Sequence, residues 1–408
     1  MDSKFEQRIT EQIADEFART EAPAGFPHLN DLPLGRYTDP AMFELEQSRV
    51  FRGTWLFAAH ESEIPEPGDY RTFDLAGIPV LLVRSETGTV NAFINACRHR
   101  SAPVVRDECG SCRLLVCQYH SWSYDFDGNL VRVPDERDFV GLDPAVRGLV
   151  AIRCEAWGRF IFVCANEDAR PLIEWLGPLA DELRHVVEAP LRVVQRTHSD
   201  VRCNWKIMAE GFLEVYHLRT IHSQTVANLL DHRGSAISLI EGGHSRMITP
   251  LRPEWIAQPR ESREDLGHIE EMASDLYRTT NPAYGIFPNL ITPLDSSGFP
   301  FLLFWPLAID LTRLEIVWFA NDWGNGDLPT SWPRRLAGFD VVMLEDTLNL
   351  EPIQRSVRAA AHSGIPLNYQ ERRIWHLHAT IDKMIGPDAV PAPLRVPDVL
   401  ADWVDKPE

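Results

Sequence analysis

Residues 97–122 read CRHRSAPVVRDECGSCRLLVCQYHSW and carry two short donor loops, Cys97-x-His99 and, after seventeen intervening residues, Cys117-x-x-His120. Two thiolates and two imidazoles suit a two-iron cluster in which cysteines hold one iron and histidines the other, because soft sulfur and borderline nitrogen favour different oxidation levels. A zinc site is the rival. Finger-type spacings, however, put Cys with Cys and His with His, whereas each loop here offers one of each.

Working outward, YRTFDL (70–75), PVLLV (79–83) and TVNAFIN (89–95) read as three short strands punctuated by Pro67-Gly68, Gly77 and Thr87-Gly88. They deliver Cys97 at a strand end. WSYDF (122–126) followed by Asp127-Gly128 makes a tight hairpin directly after His120, and GRFIFV (158–163) is a further strand. The expected result is a small antiparallel β domain over 40–165. Before it, Phe5, Ile9, Ile13 and Phe17 predict an amphipathic helix over 3–20 that leads into a Pro/Gly-rich arm, together spanning 1–39. Asp39-Pro40 predicts a helix running to about Phe51, with Phe43 and Val50 on its apolar side.

From 166 to 386 the pattern shifts to helix and then to longer alternating segments such as RVVQRTHSDV (192–201), FLLFW (301–305) and LEIVWF (314–319), which predict a second domain. A helix is expected from about Trp332 to Leu350, broken by Pro352, and a Pro-rich tail spans 387–408. CNWKIMAEGFLEVYHLRTIH (203–222) is the other informative stretch. Helix formers there place Glu214 and His217, three apart, on one face. His222 lies about 500 degrees of helical rotation beyond His217, so both face one metal only if the helix ends or unwinds between them. Two imidazoles plus a carboxylate form the facial triad of non-haem ferrous sites. Asp346 is the favoured carboxylate, since it shares a stripe with Phe339, Val342, Met343, Leu350 and Ile353; Asp340, Glu345 and Glu351 compete.

Bulk composition narrows the function. Fifty-nine acidic against forty basic residues give a net charge of -19, the wrong sign for a nucleic acid or an anionic membrane. No apolar run reaches the ~18 residues of a membrane span and the N-terminus lacks a signal-peptide core, so a cytoplasmic protein is expected. Seven cysteines, two of them committed to the cluster, suit a reducing compartment.

Together the two stretches resemble the large (alpha) subunit of Rieske non-haem iron oxygenases, the aromatic ring-hydroxylating and oxidative demethylating family, over about residues 37–360. The resemblance implies an α+β fold, with a small antiparallel β Rieske domain and a larger catalytic domain of antiparallel sheet and helices, of the helix-grip type. It implies that Cys97, His99, Cys117 and His120 hold a [2Fe-2S] cluster. It implies that His217, His222 and Asp346 hold a mononuclear Fe(II), with Asn204-Trp205-Lys206 leading into the site and Gln354 following it. Glu214 occupies the position of an acid that bridges neighbouring subunits for electron transfer, so a trimer or a multiple of it follows, with or without a β subunit. Ser101, Ser121 and Gly211 depart from the Gly, Gly and Asn usual there. The implied activity is that of a terminal oxygenase using O2 and NAD(P)H-derived electrons to hydroxylate an aromatic or largely apolar small molecule. Since no dinucleotide-binding glycine fingerprint is evident, a reductase, with or without a ferredoxin, must be a partner. Oxidative demethylation or hydroxylation of a quaternary ammonium compound is the alternative, prompted by Glu214 and the Trp- and Phe-rich second half. A pure electron carrier is the different-class alternative. Pocket candidates are Phe212, Leu213, Leu218, Ile221, Val226, Leu229, Phe287 and Phe304. Cys109-Gly-Ser-Cys112 has dithiol spacing without thioredoxin-like context and reads as incidental.

Overall fold

A computed structural model describes residues 3–257, 266–360 and 362–405; the ends of the expected N-terminal segment and tail, 1–2 and 406–408, lie outside them. Contacts divide the chain into one unit over Phe51–Trp175 and another built from the residues before and after it. The expected boundary at 40 therefore moves to 51. Asp39 does cap a helix, its Oδ1 accepting from Met42 N at 3.0 Å, but that helix buries Met42 rather than Phe43. Just after it, Glu46 joins Lys206 in a wholly buried ion pair at 2.7 Å, which commits the segment to the larger unit.

The smaller unit is an antiparallel sheet. Its strands are β1 (Leu56–His60), β2 (Asp69–Leu75), β3 (Ile78–Arg84), β4 (Val90–Ile94), β5 (Cys109–Ser111), β9 (Ala151–Trp157) and β10 (Phe160–Cys164), in the order β1-β10-β9-β4-β3-β2-β5. A second sheet, β6 (Leu115–Val116), β7 (Ser123–Tyr124) and β8 (Leu130–Arg132), holds the hairpin after His120. Tyr70, Leu81, Phe93, Trp122, Tyr124 and Phe126 form the core between them, and Cys97 and Cys117 are part of it.

In the larger unit, β11 (Leu191–Val201), β12 (Ala236–Ile240), β13 (Ser245–Pro250), β14 (Thr280–Ile286), β15 (Leu290–Pro293), β16 (Phe299–Ala308) and β17 (Leu311–Asn321) pair antiparallel in the order β11-β17-β16-β15-β14-β13-β12. A short strand, Val404–Asp405, adds parallel to β12, so the expected tail is partly ordered against the sheet. Helix α1 (Ser3–Ala18) buries Phe5 and Ile9, while Phe17 is exposed. Helix α2 (Trp205–Gly211) and helix α3 (Trp332–Arg358) carry the segments of the second site. Helix α4 (Arg372–Ile385) is buried along most of its length and bonds β12, with Arg372 Nη2 donating to Ile237 O at 2.8 Å.

Two helical expectations change. α3 passes through Pro352 to Arg358 instead of breaking there. Pro352 lies on the exposed side, so water can satisfy the carbonyl that loses its helical donor. On the same helix Ile353 is exposed and Gln354 is the buried residue. The helix at 205 stops at Gly211, and a separate turn of helix begins at Leu218. Glu214 and His217 therefore meet in the link between helices rather than on one helix face.

Candidate metal centres

The two cluster loops are built alike. Cys97 N donates to Ala102 O and Ser101 N to Cys97 O; Cys117 N donates to Trp122 O and Ser121 N to Cys117 O, at 2.8 to 2.9 Å. Ser101 and Ser121 have φ of 57 and 58, the left-handed region where Gly is relaxed and an L side chain is strained. Asn95 pins the first loop, its Oδ1 accepting from Val104 N at 2.9 Å and Val105 N at 3.1 Å. Cys97 and Cys117 are buried and their thiols adjoin, whereas His120 is exposed and His99 half-exposed. The imidazoles stand 4.6 Å apart between ring centroids, and Trp122 stacks on His99 at 5.0 Å.

This donor set fits a cluster with sulfur on one iron and nitrogen on the other. His99 Nδ1 is buried and meets no partner among the described residues. Burial, with the charges of His120 and Arg100, lowers the His99 pKa and so favours the neutral, ligating imidazole. Burial raises the Cys97 thiol despite the bond from Tyr124 Oη at 3.3 Å, so metal loading must expel a proton here. Cys109 and Cys112 are free thiols on and after the edge strand β5.

In the larger unit, ligand atoms of His217, His222 and Asp346 all lie within 4.8 Å of one another. His222 Nε2 is 2.9 Å and His217 Nε2 3.5 Å from Asp346 Oδ1. Each imidazole is held by a carboxylate at its other nitrogen. Glu214 Oε1 bonds His217 Nδ1, and Glu345 Oε2 lies 2.7 Å from His222 Nδ1 while accepting from Thr225 Oγ1 at 2.6 Å. Such bonds fix ring orientation and leave Nε2 for a metal. Burial disfavours charge on His222, but the bonds to Asp346 and Glu345 outweigh it and raise its pKa. Two imidazoles and one carboxylate on one side of a site are the donors of a ferrous facial triad, so this set fits mononuclear iron.

Of the competing acids, Asp340 and Glu351 are exposed, and Glu345 is the acid behind His222, a role that sequence reasoning missed. It also missed what sets the register of α2 against α3. Asn204 caps α2 by accepting from Lys206 N, and its own N–H donates to Gln354 Oε1 at 2.7 Å. Trp205 Nε1 and Lys206 Nζ both donate to Glu46 Oε2 at 2.8 Å.

The triad opens on a cavity of about 390 Å³. Phe212, Leu218, Val226 and Leu229 line it as expected, but Leu213, Phe287 and Phe304 line a separate small cavity and Ile221 neither. Met247, Ile291, Trp318 and Phe339 are among the lining residues that were not foreseen. Gly211 also lines it, and a Cβ there would meet open space.

Two family models match the chain, a Rieske [2Fe-2S] domain over residues 54–148 and a ring hydroxylating alpha subunit catalytic domain over 189–387. The large oxygenase component of the naphthalene 1,2-dioxygenase system of Pseudomonas putida is 34% identical over 336 residues, 73% of this chain and 72% of that one. The chain belongs to the Rieske oxygenase alpha subunits. The anthranilate 1,2-dioxygenase large subunit of Burkholderia cepacia is 32% identical over 234 residues, and this match spans 54% of the chain and 55% of that relative. A crystal structure of a quaternary ammonium Rieske monooxygenase superposes with a TM-score of 0.76 at 19% identity, covering 90% of this chain and 99% of that one. Likeness at that identity shows the fold. The cofactors of this alpha subunit are a [2Fe-2S] cluster and mononuclear iron. No helix among its described residues is long and apolar enough to cross a membrane.

Proposed function

We propose that this alpha subunit is a terminal oxygenase that hydroxylates an aromatic or largely apolar small molecule. The observation that carries the proposal is the His217, His222 and Asp346 constellation opening directly on an apolar cavity. In this reading Cys97, His99, Cys117 and His120 hold the cluster, and His217, His222 and Asp346 hold the iron. When bound, the iron supplies O2 activation, on electrons that an NAD(P)H-dependent reductase, with or without a ferredoxin, delivers by way of the cluster. The chain's own contribution is orientation. Glu214 and Glu345 hold the two imidazoles, and the apolar walls exclude water and seat the substrate. Glu214, already bonded to His217, is the residue assigned to link this site to a neighbouring chain in a trimer or a multiple of it.

The cavity's reach along α3 favours an elongated substrate. Arg335 and Asp346 both line it and are eleven residues apart on α3, about 16 Å of helical rise. The Arg335 end is polar: Nη2 lies 3.6 Å from Asp295 Oδ1 and donates to Gly298 O at 2.6 Å. A quaternary ammonium substrate would want an acid and an open aromatic face. Asp295 is such an acid and Trp318 such a ring. Yet Arg335 Cζ already sits 5.3 Å over the Trp318 ring and close to Asp295, so the chain supplies its own cation and the apolar reading is preferred.

A single-turnover experiment decides between them. Dithionite-reduced, iron-loaded protein is mixed with O2 and either naphthalene or carnitine. Hydroxylated naphthalene is the expected product. Trimethylamine or formaldehyde from carnitine, with naphthalene unchanged, would move the assignment to quaternary ammonium oxidation. Cluster reoxidation with neither substrate altered would overturn both substrate classes.

A further inference from the structure

Arg373, on α4, is only 1% exposed, and no carboxylate among the described residues bonds its terminal nitrogens. Its Nε donates to Ser245 Oγ at 2.9 Å, but Nη1 and Nη2 meet no acceptor among the described residues. Burial pulls its pKa down to about 9, and the charge that acts on it is that of Arg372, also positive. The guanidinium is thus still protonated at neutral pH. Burying a cation without a counter-charge is strongly unfavourable, so a further partner is expected.

There is space for one. Arg373 lines a separate cavity of about 20 Å³ with Ser245, Gly285, Leu213 and Ala209. That is enough for a single particle of roughly water size and too small for an oxyanion with its shell. Gly285 keeps the space open: a Cβ there would come within 3.1 Å of Arg373 Nη2 and 2.8 Å of Ser245 Oγ. Ser245 Oγ accepts from Arg373 and retains its own O–H as a donor. We propose that this cavity binds one monatomic anion of halide size, chloride under ordinary conditions, held by the two terminal nitrogens of Arg373 and the hydroxyl of Ser245. Water would fill the volume but leave the charge uncompensated. The ion would sit behind the segment that leads to the iron triad, since Ala209 lies on α2 and Leu213 immediately precedes Glu214. Ile291 is shared by this cavity and the larger one.

The test uses bromide as probe. Crystals of the iron-loaded protein, dialysed against gluconate and soaked in sodium bromide, should show an anomalous peak within hydrogen-bond range of Arg373 Nη1 and Nη2. The Tm should rise by roughly 2–5 °C as bromide or chloride replaces gluconate at constant ionic strength. Constant ionic strength matters because generic screening of the net charge of -19 would act in all these salts. Arg373→Met should abolish the halide-specific rise. If that variant does not fold, Gly285→Ala, which places a methyl group in the ion's position, should at least halve the rise. No anomalous peak beside Arg373, or equal Tm values in gluconate and bromide, would sink the proposal whatever the variants do.

Discussion

The four proposed cluster donors all come from residues 97–120, whereas the proposed iron triad joins 217–222 to 346, and the two sites are stabilised accordingly. Each cluster loop is closed by its own two backbone bonds, repeated at Cys97 and at Cys117. Little chain must be immobilised to form it. The triad depends instead on the register between α2 and α3, which Gln354 and the Glu46–Lys206 pair maintain from outside the site. A local site tolerates distant damage; an assembled one does not.

The sharpest test of this contrast is a pair of donor replacements. Cys97→Ser should eliminate the visible spectrum and acid-labile sulfide. Asp346→Ala should keep both while mononuclear iron and turnover disappear; a bleached Asp346→Ala protein would break the comparison. Next in size is Glu46→Ala, which strands the buried Lys206 ammonium and should cost about 3–5 kcal/mol in urea unfolding followed by tryptophan fluorescence. The cluster spectrum per folded molecule should persist. Glu345→Ala should lower iron affinity by about 10–100-fold, read by competition with a chelator, since His222 loses its orienting acid. Unchanged affinity would mean that Thr225 and the packing around His222 orient the ring without it. The smallest effect is expected of Ser101→Gly, which relieves a left-handed serine against the greater entropy of glycine. It should stabilise the folded protein by up to about 1 kcal/mol. A destabilised variant would show that the Ser101 hydroxyl contributes more than its backbone costs.

The same contrast governs what the sequence disclosed. The strands around the cluster were legible because alternation and turn residues are local signals, and the Cys and His spacings lie within one segment. The pairing of His217 and His222 was legible only on the condition that the helix ended between them; it ends earlier, at Gly211. Asp346 was one of four rival acids because a stripe on an isolated helix does not specify its rotation. Ile353 turned outward where Gln354 turned inward. The role of Glu345 was invisible, since it requires knowing which imidazole lies opposite. Met42 replaced Phe43 for the same reason, one residue of rotation on a helix whose partner the sequence does not name.

Helix α3 passes Pro352 without stopping, and this has a mechanical consequence. One rod of 27 residues, about 40 Å long, carries Arg335, Asp346 and Gln354. The Arg335 end of the cavity, the proposed metal donor Asp346 and the Gln354 anchor of the neighbouring helix are therefore points on one helix, the first two on its proline-free stretch. A ligand that shifted Arg335 along the axis would displace Asp346 with it, because the stretch between them contains no proline to act as a joint. On the proposed assignment, the length of the bound molecule would thereby bear on where Asp346 stands relative to His217 and His222.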